Sequence, residues 1–202
     1  MRPSYQQGIG RYLQRPRAML RYDAGLVAAP SDRAKRRFLL RLFKERNHEL
    51  LVESGTFLGG TVEYFLPHAR RIISVEIEPH LFEAAQRRFK ESPSVELVLG
   101  DALEEIPRVL ADVSEPPLVY LDGHFTGGVN KEPGLFVEPA PGILERLGML
   151  GLPSGTSIVV DDLRLFGRGD GFPGLDELTS AARNAFPGAA SYVGVDCLVI
   201  AG

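Results

Sequence analysis

The sequence predicts an α/β fold built on a doubly wound, mostly parallel sheet, with helices on both faces and an antiparallel hairpin at its C-terminus. Three observations carry that expectation. Short apolar runs alternate with amphipathic helical patterns along the chain. The first run passes directly into a glycine turn and a helix. Most of the later runs end at an acidic residue, which places polar chemistry at the carboxyl ends of the strands, where open parallel sheets bind ligands.

The first run is Leu50-Leu51-Val52, apolar throughout and bounded by turn chemistry, as in a strand covered on both faces. Gly55 allows a sharp turn after it, Gly59 and Gly60 allow close backbone approach, and Thr61 is a plausible cap for a helix through Val62, Phe65 and Leu66. Before this unit, Ser31 or Asp32 caps a helix to about Asn47, with Phe38, Leu39, Leu42 and Phe43 on one face, expected to pack at the sheet edge. A second strand, Ile72 to Glu76, is followed by a helix that opens at Pro79 and carries Leu81, Phe82, Ala85 and Phe89. Val95 to Leu99 forms a third strand, with Gly100-Asp101-Ala102 at its end and a helix over about 103–110. The fourth strand, Leu118 to Leu121, ends in Asp122-Gly123-His124.

Residues 125–141 hold Gly127, Gly128, Pro133, Gly134, Pro139 and Pro141 and read as a long loop. A helix over 143–150 precedes the fifth strand, Ser157 to Val160, which ends in Asp161-Asp162. A loop over 163–173, a helix over 175–186, and a hairpin turning near Gly194 complete the chain.

A chain of 202 residues supports one well-buried core. We expect a single domain over 31–202, preceded by an arm, a lid or a homodimer contact at 1–30, where prolines and glycines break any long helix. With 44% hydrophobic and 24% charged residues the composition is that of an ordinary globular protein. No apolar run approaches the roughly eighteen residues of a membrane span, and no signal-peptide pattern opens the chain. The lone Cys197 cannot form an internal disulfide, and a cytoplasmic location is the default expectation. The net charge of −3 hides about a dozen Lys and Arg before position 47, set against about three acids. We read most of this as the solvated face of a helix and disfavour a nucleic-acid surface.

Glu53, Glu76, Asp101, Asp122, Asp161 and Asp162 all fall at strand ends. Such a ring of negative charge requires a cation, hydroxyl donors or raised pKa values.

Taken together these motifs resemble the class I S-adenosylmethionine-dependent methyltransferases, a Rossmann-like family, over about residues 45–202. Glu53-Ser-Gly55-Thr56-Phe-Leu-Gly59-Gly60-Thr61 resembles the family's first motif, which holds the amino acid part of the cofactor, although Thr56-Phe57-Leu58 stands where many members keep an alternating glycine. The resemblance implies that Glu76 binds the ribose hydroxyls, that Gly100, Asp101 and Ala102 meet the adenine, and that Asp122 lies beside the transferred methyl.

Leu121-Asp122-Gly-His-Phe-Thr-Gly-Gly128 with Val159-Val160-Asp161-Asp162 is more narrowly similar to a bacterial branch near the macrocin and catechol O-methyltransferases. That similarity implies a hydroxylated small-molecule acceptor and a divalent cation, Mg²⁺ or another hard ion, on Asp122, Asp161 and Asp162. A cation there would lower the pKa of an acceptor hydroxyl. His124 is a candidate general base or an anchor of its loop, and Asp122 is the other candidate catalytic residue. Arg164 and Arg168 read as surface residues, or as partners of the acids or of an anionic substrate. The competing reading is a module that keeps the fold and binds cofactor without turnover. A nicotinamide-dependent oxidoreductase is disfavoured by the lack of a G-x-G-x-x-G pattern after the first strand.

Overall fold

The computed structural model describes residues 29–122, 138–168 and 171–202. His124 and nearly all of the 1–30 segment therefore lie outside the described residues, as does most of the 125–141 loop.

Seven strands form one sheet: β1 (Leu50–Ser54), β2 (Arg71–Glu76), β3 (Val95–Leu99), β4 (Leu118–Leu121), β5 (Ser157–Val160), β6 (Ala190–Gly194) and β7 (Cys197–Ala201). Their order is β3-β2-β1-β4-β5-β7-β6. The first five run parallel, and β7 is antiparallel to both β5 and β6. Because β1 pairs with β2 on one side and β4 on the other, the order of connection reverses there, which opens a crevice at the carboxyl ends of the central strands.

The two-residue period of the strands divides the core into two layers. Leu50 and Val52 of β1, Ile73 and Val75 of β2 and Val119 and Leu121 of β4 face α4 (Ala102–Leu110), α5 (Ala140–Leu150) and α6 (Leu175–Ala185). Leu51, Ile72, Leu118 and Val159 face the other way, toward α1 (Asp32–Glu45), α2 (Gly60–Phe65) and α3 (Pro79–Phe89).

Ser31 caps α1 as expected, its hydroxyl accepting from the Ala34 N–H at 3.3 Å. The helix does not sit at the sheet edge, however. Leu39, Leu42 and Phe43 pack with Leu51, Tyr120, Val159 and Val199, so it lies across the face of the sheet over β1, β4, β5 and β7. An apolar stripe that wide covers more area on a sheet face than an edge offers.

Two boundaries also differ from expectation. Gly59, in the left-handed conformation at φ +73°, precedes the first residue of α2, so Thr61 lies inside the helix and does not cap it. α5 begins at Ala140, earlier than the expected 143, because prolines suit a first turn. The β6–β7 hairpin turns just after Gly194, as expected, through Val195 and Asp196, both at positive φ, the geometry of a two-residue hairpin turn whose twist matches that of the strands. Among the described residues, no helix is long and apolar enough to cross a membrane.

Candidate active site

β1 ends in Ser54, and Gly55 (φ +85°) turns the chain so that its N–H donates to Val75 O at 2.8 Å, tying the loop to β2. The hydroxyls of Thr56 and Ser74 lie 2.6 Å apart and make a second tie. Phe57, at φ +47°, then presents its N–H to Glu76 Oε2 at 2.7 Å, while the Glu78 N–H donates to Oε1 at 3.0 Å. With one backbone donor on each oxygen, the Glu76 carboxylate is fixed in orientation, and each oxygen retains lone-pair capacity for a ligand hydroxyl.

Above these residues opens a cavity of about 870 Å³. Gly55, Thr56, Gly60, Thr61, Glu76, Gly100, Asp101, Ala102 and Asp122 all line it, and Asp161 and Asp162 stand on the same wall. Ile77, Leu81 and Leu103 add apolar surface, and Ala29 and Pro30 bring the end of the N-terminal segment to the rim. Two expected cofactor contacts do not reach the wall. Glu53 is buried, accepting from the Ser74 hydroxyl at 2.7 Å, and Gly59 is turned toward α3, where a Cβ would come within 2.6 Å of the Phe89 ring. Asp101 caps α4, its Oδ1 accepting from the Leu103 N–H at 2.9 Å, besides facing the cavity.

The ring of acids is made tolerable by each of the three means that electrostatics allows. The first is a cation: Lys35 of α1 places its Nζ 2.8 Å from Asp161 Oδ1 and 2.5 Å from Asp162 Oδ1. Burial opposes its charge, but the two carboxylates outweigh that and hold the ammonium above its ordinary range. Arg164, for which a surface position and pairing with the acids were both expected from sequence, bridges Asp162 and Asp196. The second is hydroxyl donors: Tyr120 O–H lies 3.1 Å from Asp122 Oδ2 and bonds Asp161, and Ser74 serves Glu53. The third is raised pKa values. Burial pushes Glu53 up to about 8, against the Ser74 hydrogen bond and with the help of the Asp122 charge. Burial and then Asp122 push Asp161 up to about 6, with Lys35 working in the other direction.

S-adenosylmethionine fits what is present: a cavity of suitable volume, an anchored carboxylate for a ribose, apolar walls for a purine, and, for a carboxylate, a cation beside the glycine loop whose Nη2 reaches exposed Asp32 at 3.4 Å. That cation is Arg36, whose guanidinium lies against the glycine loop; a Cβ on Gly60 would come within 2.5 Å of Nη2. Its Nε is buried and has no hydrogen-bond partner among the described residues.

A divalent cation on Asp122, Asp161 and Asp162 does not fit. An ion held by the two Oδ1 atoms would sit about 2.0–2.6 Å from each, in the volume that Lys35 Nζ fills. The expectation of a metal there overlooked a lysine more than a hundred residues away in the chain. Asp161, Asp162 and Asp196 do offer oxygens within 4.8 Å of one another, but Arg164 bridges the last two.

Lys35, Arg36, Tyr120 and Asp196 were not anticipated from sequence. For Lys35 a signal was present: it precedes Phe38, Leu39 and Leu42 by three, four and seven positions, on the apolar stripe itself. His48 lies away from the cavity and is structural, its ring nitrogens 2.9 Å from Pro116 O and Ser157 Oγ.

No family model matches the chain, and no curated relative matches it. Solved structures do. An O-methyltransferase from Bacillus cereus, in complex with S-adenosylhomocysteine, superposes with a TM-score of 0.59 at 18% identity, covering 90% of this chain and 86% of its own. The O-methyltransferase TomG from Streptomyces achromogenes, involved in tomaymycin synthesis and bound to S-adenosylmethionine, gives 0.54 at 20%, covering 91% and 86%. The N-methyltransferase NodS from Bradyrhizobium japonicum, with S-adenosylhomocysteine, gives 0.58 at 15%, covering 92% and 91%. The chain therefore has the fold of the class I S-adenosylmethionine-dependent methyltransferases.

Proposed function

We propose that this protein is an S-adenosylmethionine-dependent methyltransferase that acts on a hydroxyl group of a small molecule. The observation that carries the reading is the Glu76 carboxylate, held by the Phe57 and Glu78 amides on the wall of an 870 Å³ cavity at the point where strand order reverses.

The donor, when bound, supplies a sulfonium methyl that an acceptor lone pair attacks in line, the C–S electron pair passing to sulfur. Glu76 would orient the ribose, Ile77, Leu81 and Leu103 would cover the purine, and Arg36 would meet the amino acid carboxylate. Asp122, on the same wall as Asp161 and Lys35, would accept the proton that the hydroxyl loses.

Folds of this kind serve O- and N-methylation alike, so the choice between them rests on charge. Lys35 stands on the acceptor side of the cavity, where its ammonium offers an N–H to an oxygen and repels a protonated amine.

Selective binding to the folded state must raise the melting temperature. We expect S-adenosylhomocysteine to do so, and expect S-adenosylhomocysteine to be released when the enzyme is given S-adenosylmethionine with a hydroxylated acceptor from a panel that also contains amines. No shift at roughly hundredfold excess over a micromolar Kd would reject the reading. Binding without turnover across the panel would instead favour a module that keeps the fold and not the chemistry.

A further inference from the structure

We infer that Lys35 is the resident cation of this site, so that the acceptor oxygen is held by an ammonium and the protein uses no divalent metal ion. The inference rests on the methyl-transfer reading for its consequence, but its geometry stands alone. Lys35 Nζ is within hydrogen-bond distance of Oδ1 of both Asp161 and Asp162, the paired carboxylates at the end of β5. Asp162 is turned into place by a left-handed backbone (φ +52°), with its N–H donating to Asp161 Oδ1 at 2.6 Å. The two oxygens thus converge on one point, and the point is filled by nitrogen.

The lysine is delivered there by construction. α1 is pinned to the sheet by Leu39, Leu42 and Phe43, and Lys35 sits one to two turns earlier on the same stripe, its side chain only 12% exposed. Arg164 supplies a second fixed cation across Asp162 and Asp196. Two cations already stand among the acids that a metal would have to win.

This changes which acceptors the site can take. A divalent ion held by carboxylates keeps open positions and can be chelated by two adjacent oxygens of one substrate. An ammonium has three donors, and two of those of Lys35 are engaged by Asp161 and Asp162. The remaining donor can meet one oxygen. The acceptor class is therefore a single hydroxyl or phenolate, with no requirement for a vicinal diol.

The test uses the full chain, stripped with EDTA and titrated with Mn²⁺, with bound ion read from the loss of the free-ion paramagnetic resonance signal. Wild type is compared with D161N, K35A, K35M and K35A/D161N, and each sample is checked for S-adenosylhomocysteine-induced thermal stabilisation. We expect wild type to take up no Mn²⁺ at roughly millimolar concentration. K35A and K35M should gain about one equivalent, at least about tenfold tighter than any wild-type uptake and lost again in K35A/D161N.

Stoichiometric Mn²⁺ binding by wild type that D161N abolishes would overturn the inference, and so would folded lysine variants that gain nothing. If neither lysine variant folds, wild type and D161N alone decide, by the same criterion. Wild type that shows no stabilisation by S-adenosylhomocysteine would instead count against the methyl-transfer reading and leave the Mn²⁺ result standing.

Discussion

The backbone N–H of Phe57 donates to Glu76 Oε2 at 2.7 Å, joining the loop after β1 to the end of β2 across nineteen positions of sequence. Phe57 reaches this geometry only by adopting a positive φ, uncommon for a bulky residue, and its ring is left exposed beside the cavity. The loop conformation and the Glu76 carboxylate are thus one unit.

Glu76→Gln should weaken S-adenosylhomocysteine. The carboxamide nitrogen cannot accept from the Phe57 or Glu78 amide, so one anchor is lost together with a charge-assisted bond to the ribose. Bonds of that kind are worth about 1.5–3 kcal/mol, or roughly ten- to hundredfold in Kd. Isothermal titration calorimetry reads it directly. An unchanged Kd would remove Glu76 from the site.

Arg36→Met should discriminate between ligands. It retains the aliphatic packing and removes the guanidinium whose Nε is buried with no hydrogen-bond partner among the described residues. The side chain is 29% exposed, so the lower end of the range applies, about 1.5 kcal/mol or roughly tenfold for S-adenosylhomocysteine. Methylthioadenosine, which lacks the amino acid carboxylate, should bind both proteins alike. Equal losses for the two ligands would place Arg36 elsewhere in recognition.

How far the sequence could lead is visible in which residues it found. The central strands were legible because β1, β2, β4 and β5 are short, largely apolar runs, and the cavity wall because Glu76, Asp101, Asp122 and Asp161 stand at or within two positions of a strand's last residue. Helix starts were less legible. A glycine with positive φ opens α2 where a threonine offered the more familiar cap. The partners of the acids were the hardest to find, since Lys35 meets Asp162 across 127 positions and Tyr120 meets Asp161 across 41. The demand for cations and hydroxyl donors could be stated from charge alone; which side chains meet it depends on how α1 crosses the sheet.

Tyr120→Phe should destabilise the fold by about 1–3 kcal/mol, since it removes a hydroxyl that serves two carboxylates and leaves Asp161, 4% exposed, with one donor fewer. Urea denaturation near pH 7 measures the loss. The deficit should shrink below about pH 6, where Asp161 is protonated and needs the donor less. A deficit independent of pH would indicate lost packing alone.

Glu53 makes a prediction of definite sign. Burial raises its pKa from 4.5 to about 8 in the folded protein, so between those values the native state binds a proton that the unfolded chain does not. Stability contributed by Glu53 is then fully present below about pH 4.5 and lost as pH rises through about 8. Asp161, shifted in the same direction to about 6, adds to the decline over a lower window. Glu53→Gln isolates the first effect, because a carboxamide has nearly the shape of the protonated acid and its oxygen can still accept from Ser74. Relative to wild type, the variant should be nearly neutral at pH 5 and progressively more stable toward pH 8, by up to a few kcal/mol if the unfolded group titrates normally. Urea midpoints for the two proteins at matched ionic strength supply the comparison. A difference that stays constant from pH 5 to 8 would mean that Glu53 carries its charge in the native state, and that Ser74 and Arg36 outweigh its burial.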